Sequence, residues 1–275
     1  MDRKAIARQT LDIMEKGWYE TEGTVVEIRA RQQESVKKSV LFTPEQGERL
    51  LEQYETVTKK TAKYKCCTWN CSTVDAILKL AGENQCRCAV LNFASAKNPG
   101  GGFINGAMAQ EESLAASSGL YRTLTVHEEY YRNNRACQSM MYTDHAIYSP
   151  EVVFFRDGGF RLLEKPFTSS VLTLPAVNMG QVLLKGEDCD TAERVMRRRM
   201  KLALAVFAER GAKNLVLGAY GCGVFRNDPV KIAAWWEELL SGEFKGVFEQ
   251  IVFAVLDRSK NKACLNAFAY YGVLC

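Results

Sequence analysis

Three stretches of this chain are almost uninterruptedly apolar: CAVLNFA at residues 88–94, NLVLGA at 214–219 and QIVFAVL at 250–256. A strand with one wet face alternates apolar and polar side chains, whereas a strand without alternation is covered on both faces. Helical periodicity fills the intervals, over residues 72–80, 190–210 and 229–240. Buried strands alternating with helices predict an α/β fold, a mostly parallel or mixed sheet between two helical layers. Ligands of such sheets bind beyond the carboxyl ends of the strands. Two of the three strands run directly into glycine loops there, NPGGGF at 98–103 and GCGVF at 221–225.

The remainder of the chain fits around that core. Ile6, Ala7, Thr10, Ile13 and Met14 recur at helical spacing and Gly17 is a stop signal, which predicts an amphipathic helix over residues 4–17. Residues 23–30 alternate like a strand, and Thr43 before Pro44 and Glu45 opens a helix running to about Tyr54. Residues 1–60 thus read as a mainly helical accessory extension and residues 61–275 as one compact core. Within the core, AIYSPEVVFF at 146–155 and SSVLTLPAV at 169–177 add strands, and residues 112–124 add a helix.

Composition excludes several classes. The formal net charge is +4, from 36 basic and 32 acidic residues, too small a bias for a nucleic-acid-binding tail. The run ERVMRRRMK at 193–201 invites that reading, but Met196, Met200, Ala203 and Phe207 form an apolar stripe with Arg194, Arg197, Arg198 and Lys201 largely opposite, as in a solvated helix. Direct nucleic-acid binding is not expected. Ten cysteines include the pairs Cys66-Cys67 and Cys86-Arg87-Cys88, poorly disposed for simple bridges, so reduced thiols are expected. With a charged start and no apolar run of about 18 residues, the chain is expected to be cytoplasmic, neither secreted nor membrane-spanning.

The motifs admit bland and functional readings. Gly100, Gly101 and Gly102 make either a flexible turn or a main-chain cradle for an anion; the same holds for Gly221 and Gly223, and two such loops at two strand ends could grip one diphosphate. Neither loop has the spacing of a dinucleotide fingerprint or a P-loop. Gln110, Glu111 and Glu112 either complement a helix dipole or do chemistry. Adjacent helical residues diverge by about 100°, so a catalytic pair would not share one face or one proton, one carboxylate moving protons while the other positions substrate. Phe225 is a core or lid residue, or the cover of a ribose or base. Cys222 reads as a buried thiol rather than a nucleophile, since neither His127 nor His145 is near it in sequence. Those two histidines, without a CxxC or HExxH arrangement, argue against a metal site, and no cofactor is implied.

Taken together, VLNFASAKNPGGGFINGAMAQEESLAASSGLY at 90–121 resembles the signature of microbial-type poly(ADP-ribose) glycohydrolases, a triple glycine followed about seven residues later by Gln-Glu-Glu. The resemblance extends to IYSPEVVFFRD, LVLGAYGCGVFRNDP and IVFAVLD, and covers nearly the whole chain. It implies a macrodomain, a three-layer α/β/α core around a mixed sheet with an N-terminal helical extension. It implies hydrolysis of ribose–ribose O-glycosidic bonds from chain ends with release of ADP-ribose. Glu112 matches the catalytic acid, Glu111 the neighbour on the distal ribose, and Gln110 completes the motif. Gly100, Gly101, Gly102 and Phe103 match the loop along the distal ribose and diphosphate. Gly221, Cys222, Gly223, Val224 and Phe225 match the second diphosphate loop, Phe225 lying over the substrate. Ser95 and Asn98 stand where many macrodomains place an asparagine on the distal ribose. An ADP-ribose-binding module, or a hydrolase of another ADP-ribosyl linkage on protein or nucleobase, would use the same site; a mere reader would not need the carboxylate pair.

Overall fold

The computed structural model describes residues 2–54, 65–82, 88–270 and 273–274. The expected boundary at residue 60 falls outside these residues, as does Cys86. Helix α1 (Arg3–Lys16) starts where Asp2 Oδ1 accepts the Lys4 and Ala5 amides at 3.0 and 3.1 Å, and stops at Gly17, whose φ of 76° is the left-handed turn a glycine permits. Strands β1 (Trp18–Thr21) and β2 (Thr24–Glu27) form a hairpin closed by Glu22 and Gly23, both at positive φ. The strand expected over 23–30 is therefore only four residues long: Arg29 already begins α2 (Arg29–Lys38). Strand β3 (Val40–Phe42) follows, and α3 (Pro44–Gln53) opens with the expected Thr43 cap, reciprocated by Gln46. The extension is mainly helical, with three short strands among its helices.

The core runs β4 (Lys65–Trp69), α4 (Thr73–Gly82), β5 (Cys88–Ala94), α5 (Gln110–Ser117), α6 (Leu120–Thr125), α7 (Glu128–Ala136), β6 (Ala146–Arg156), β7 (Leu162–Pro175), α8 (Met179–Lys185), α9 (Cys189–Glu209), β8 (Asn214–Leu217), α10 (Pro229–Ser241), β9 (Gln250–Ala254), α11 (Ala263–Ala269) and β10 (Val273–Leu274). Eight strands make one mixed sheet in the order β10-β4-β9-β8-β5-β7-β6-β3. The first six are parallel to their neighbours, and β6 and β3 close the far edge antiparallel. Strand β4, KCCTW, is not among the strands expected from the sequence.

Successive residues of the central strands feed opposite layers, as a strand's twofold period requires. Ala89, Leu91, Leu172, Leu174, Leu215 and Leu217 pack under α3, α9, α10 and α11. Val90, Val171, Val216 and Val252 pack under α4 to α7. The result is the expected α/β/α sandwich. The basic run on α9 is not simply solvated. Arg197 pairs with Glu238, Arg198 with Glu48 and Asp144, and Lys201 with Glu243. Arg199, only 1% exposed, is held by Asp144 Oδ1 at 2.8 Å and by the Met141 and Pro175 carbonyls at 2.6 and 3.1 Å.

Candidate active site

Strand β5 delivers its carboxyl end at Ala94, beside the end of β7 at Pro175, and the chain turns there into the triple-glycine loop before α5 returns over it. Gln110, the first residue of α5, is bound to β5 through both ends of its amide: Oε1 accepts the Phe93 amide at 2.8 Å and Nε2 donates to the Leu91 carbonyl at 2.8 Å. This fixes the start of the helix against the strand. Phe103 likewise turns inward, buried with Ala7, Ala115 and Ala116 in a satellite core under α1. Ser95 Oγ accepts the Lys97 and Asn98 amides, a turn-forming role, and the exposed Asn98 accepts the Gly101 amide at its carbonyl.

Glu111 is 3% exposed. Its Oε2 accepts the Ser95 amide at 2.6 Å and its Oε1 accepts Asn92 Nδ2 at 3.2 Å. Asn92 also donates to Thr173 Oγ1, which ties the carboxyl to β5 and β7 together. Burial dominates and pushes the Glu111 carboxyl up to about 8, against the Ser95 and Asn92 hydrogen bonds that favour its ionised form; the neighbouring Glu112 adds to the rise. Glu112 is half-buried, Oε1 accepting the Gly102 amide at 2.9 Å and Oε2 the Ala109 amide at 3.0 Å.

The two side chains leave the helix in different directions, yet both carboxylates arrive at Gly101. A methyl group there would stand 2.4 Å from Glu112 Oε1 and 3.0 Å from Glu111 Oε2. The expectation that the pair would not share a face holds at the helix surface and fails at the carboxylates, because flexible glutamate stems converge where a residue has no side chain. The triple glycine is therefore first a seat for carboxylates. Gly102 donates to Glu112, Gly100 to Glu111 and Gly101 to Asn98.

The second loop has the complementary construction. Gly221, at φ 73°, is fixed by Asn227, whose Nδ2 donates to the Gly221 and Val177 carbonyls at 3.1 and 2.8 Å. Cys222 donates its amide to Ala219. Among the described residues, the amides of Gly223, Val224 and Phe225 meet no acceptor, and Val224 is 83% exposed. Consecutive unpaired main-chain donors form a nest for an anion. The Cys222 thiol is pushed upward by contact with the Cys264 thiol and by burial, an inert rather than a nucleophilic state. His127 bonds Ser39 and His145 bonds Asn133 and Thr143, neither touching Cys222. No metal-holding cluster occurs among the described residues.

The elevated Glu111 carboxyl has a measurable consequence. Its native-state value of about 8 lies above the ordinary carboxyl value of 4.5, so the folded protein binds more protons than the unfolded chain between those limits, and stability drains away as pH rises through that window. Glu111→Gln, a neutral isostere, is expected to flatten the decline. Urea unfolding of both proteins at pH 5 and pH 8 measures it, and parallel pH slopes would refute it.

A family model, the microbial-type PARG catalytic domain, matches residues 7–157. The chain belongs to that family. The X-ray structure of poly(ADP-ribose) glycohydrolase from Thermomonospora curvata shares 40% sequence identity with it over 98% of both chains, at a TM-score of 0.94. The same enzyme bound to the inhibitor ADP-HPD matches at 39% identity over 98% of both chains, TM-score 0.91. The Deinococcus radiodurans enzyme in complex with ADP-ribose matches at 42% identity, covering 90% of this chain and 98% of its own, TM-score 0.83. No curated protein sequence matches. The PARG family model takes in α1 from Ala7 onward as well as the glutamate motif, and α1 closes on the first loop and on α5. Thr10 Oγ1 donates to the Ala116 carbonyl at 2.7 Å, and Gly106 lies against Arg3 and Lys4. Asn92 and Arg199 were not singled out from the sequence. Asn92 left one trace, a lone amide inside an apolar strand that leads into the loop.

Proposed function

We infer that this protein is a poly(ADP-ribose) glycohydrolase that hydrolyses ribose–ribose O-glycosidic bonds at chain ends and releases ADP-ribose. The observation that carries the reading is the meeting of two unlike carboxylates at Gly101, beside a strand end, together with the unpaired amides of Gly223, Val224 and Phe225. The amides suit a diphosphate and the carboxylates suit the sugar attached to it. Membership of the microbial-type PARG family supports the same substrate.

Breaking the glycosidic bond passes through an oxocarbenium-like centre at the ribose C1. Glu112, the more open of the pair, donates a proton to the departing 2′-hydroxyl and then, as carboxylate, takes one from the attacking water. Glu111, deeper and held by Ser95 and Asn92, orients the distal ribose. A diphosphate fixed on the second loop places negative charge near the developing cation. The paired basic side chains of α9 favour this small anionic substrate over a nucleic acid as the partner. Residues 1–60 act as an accessory extension in which Thr10 ties α1 to α5 and the first turn of α1 braces the first loop. Cys71, Cys88, Cys137, Cys189, Cys222 and Cys264 are free thiols, which supports a reducing, cytoplasmic setting. Among the described residues no helix is long and apolar enough to cross a membrane.

The test incubates the protein with long poly(ADP-ribose), mono-ADP-ribosylated protein and ADP-ribosylated DNA, and separates products by length at early times. Free ADP-ribose from the polymer, without intermediate oligomers, is expected. Early oligomers would remove the chain-end assignment. Cleavage of the other two substrates alone would remove the polymer.

A further inference from the structure

We propose that Tyr142 contacts the substrate, its ring and that of Phe225 forming an aromatic wall for the ribose next to the bound diphosphate. The inference rests on the function proposed above. Tyr142 has a φ of 58°. For a bulky residue this left-handed conformation is strained, and such strain persists only where the surroundings over-determine it, most often at ligand sites.

The surroundings here do so from several sides. Buried Arg199 donates to the Met141 carbonyl at 2.6 Å and to the Tyr142 carbonyl at 3.4 Å, while its Nε grips Asp144 at 2.8 Å. Asn134 Oδ1 accepts both the amide and the hydroxyl of Thr143 at 2.9 Å. Glu187 Oε1 accepts the Met140 amide at 2.9 Å, and the Tyr142 amide closes on the Ser139 carbonyl at 3.3 Å. Arg199 also holds the Pro175 carbonyl at 3.1 Å, and Pro175 pairs with Ala94, so the loop stands at the strand ends from which the glycine loop departs.

All this anchoring leaves the Tyr142 side chain half-buried, its ring 6.1 Å from that of Phe225 and tilted by 42°. Phe225 carries one of the unpaired amides that suit a phosphate. A sugar joined to that phosphate lies within a bond or two of it, and the carbon-bound face of a ribose packs well on an aromatic corner. The Tyr142 hydroxyl has no partner among the described residues.

Tyr142→Gly separates the ring from the backbone, because glycine adopts positive φ without strain. The expected result is a thermal midpoint near that of the wild type, with ADP-ribose binding weakened about tenfold or more in calorimetry and KM for poly(ADP-ribose) raised comparably. Tyr142→Phe, which keeps the ring, is expected to retain wild-type affinity. Unchanged ADP-ribose affinity in the glycine variant, or equal loss in both variants with a fallen midpoint, overturns the proposal. Binding is read on ADP-ribose itself, so a wild type that bound it without cleaving the polymer would remove the hydrolytic function while Tyr142 was still decided.

Discussion

Glu112→Gln is expected to lower turnover of poly(ADP-ribose) about 10³-fold, the scale of a lost general acid, while ADP-ribose affinity changes little. The substitution keeps the length and shape of the side chain. An amide oxygen can still accept the Gly102 amide now at 2.9 Å from Oε1, so the glycine loop keeps its anchor. The amide nitrogen then opposes the Ala109 amide that Oε2 accepts at 3.0 Å, a local cost of about 1 kcal/mol at the start of α5. What disappears is the transferable proton. Initial rates of ADP-ribose release, with calorimetric binding of ADP-ribose, separate the two effects. A variant within tenfold of wild-type turnover would show that Glu112 does not supply the proton.

Gly101→Ala reaches the same machinery from the opposite side. At φ 60° a side chain costs about 1–2 kcal/mol in backbone strain alone. The added methyl would also sit 2.4 Å from Glu112 Oε1 and 3.0 Å from Glu111 Oε2. Both obstacles are the far ends of flexible side chains, so the fold survives by letting the carboxylates move. Displacement by about 1 Å is enough to cost roughly 10²-fold in rate. The expected outcome is a modest loss of stability with a kcat reduced by about two orders of magnitude. Gly23→Ala is the matched control: φ is 76°, nothing lies within 4 Å, and the turn between β1 and β2 is remote from the carboxylates. It is expected to lose comparable stability in denaturant titrations and to retain wild-type kcat. Similar kcat values in the two variants would sink the idea that Gly101 is kept bare for the glutamates.

Much of the frame was legible because its causes are local. Continuous apolar runs marked β5, β8 and β9, Gly17 marked the end of α1, and Thr43 with Pro44 marked the start of α3. The glycine loops and Gln-Glu-Glu could be placed at strand ends for the same reason. The division of labour within them depends on distant partners. That Glu111 rather than Glu112 is the fully buried carboxyl follows from Asn92 and Thr173 on two strands, and that Phe103 faces inward follows from Ala7 on α1. Arg199 lies in a run that reads as a solvated face, and only the loop folded over it from residues 141–144 shows it buried. Strand β3 was hidden for a similar reason, since three residues acquire an identity only by pairing with β6.

The anchors of the first helix and hairpin span long stretches of sequence: Thr10 to Ala116, Arg156 to Gln9, and Tyr19 to Leu163. Helix α1 and the hairpin leave the ribosome before any of the surfaces they rest on has been made. They must stay undocked while the central sheet assembles, and closing such long loops is entropically expensive. The brace behind the glycine loop is therefore set late, and a nascent chain acquires its full catalytic geometry only after these earlier-made elements have found their place.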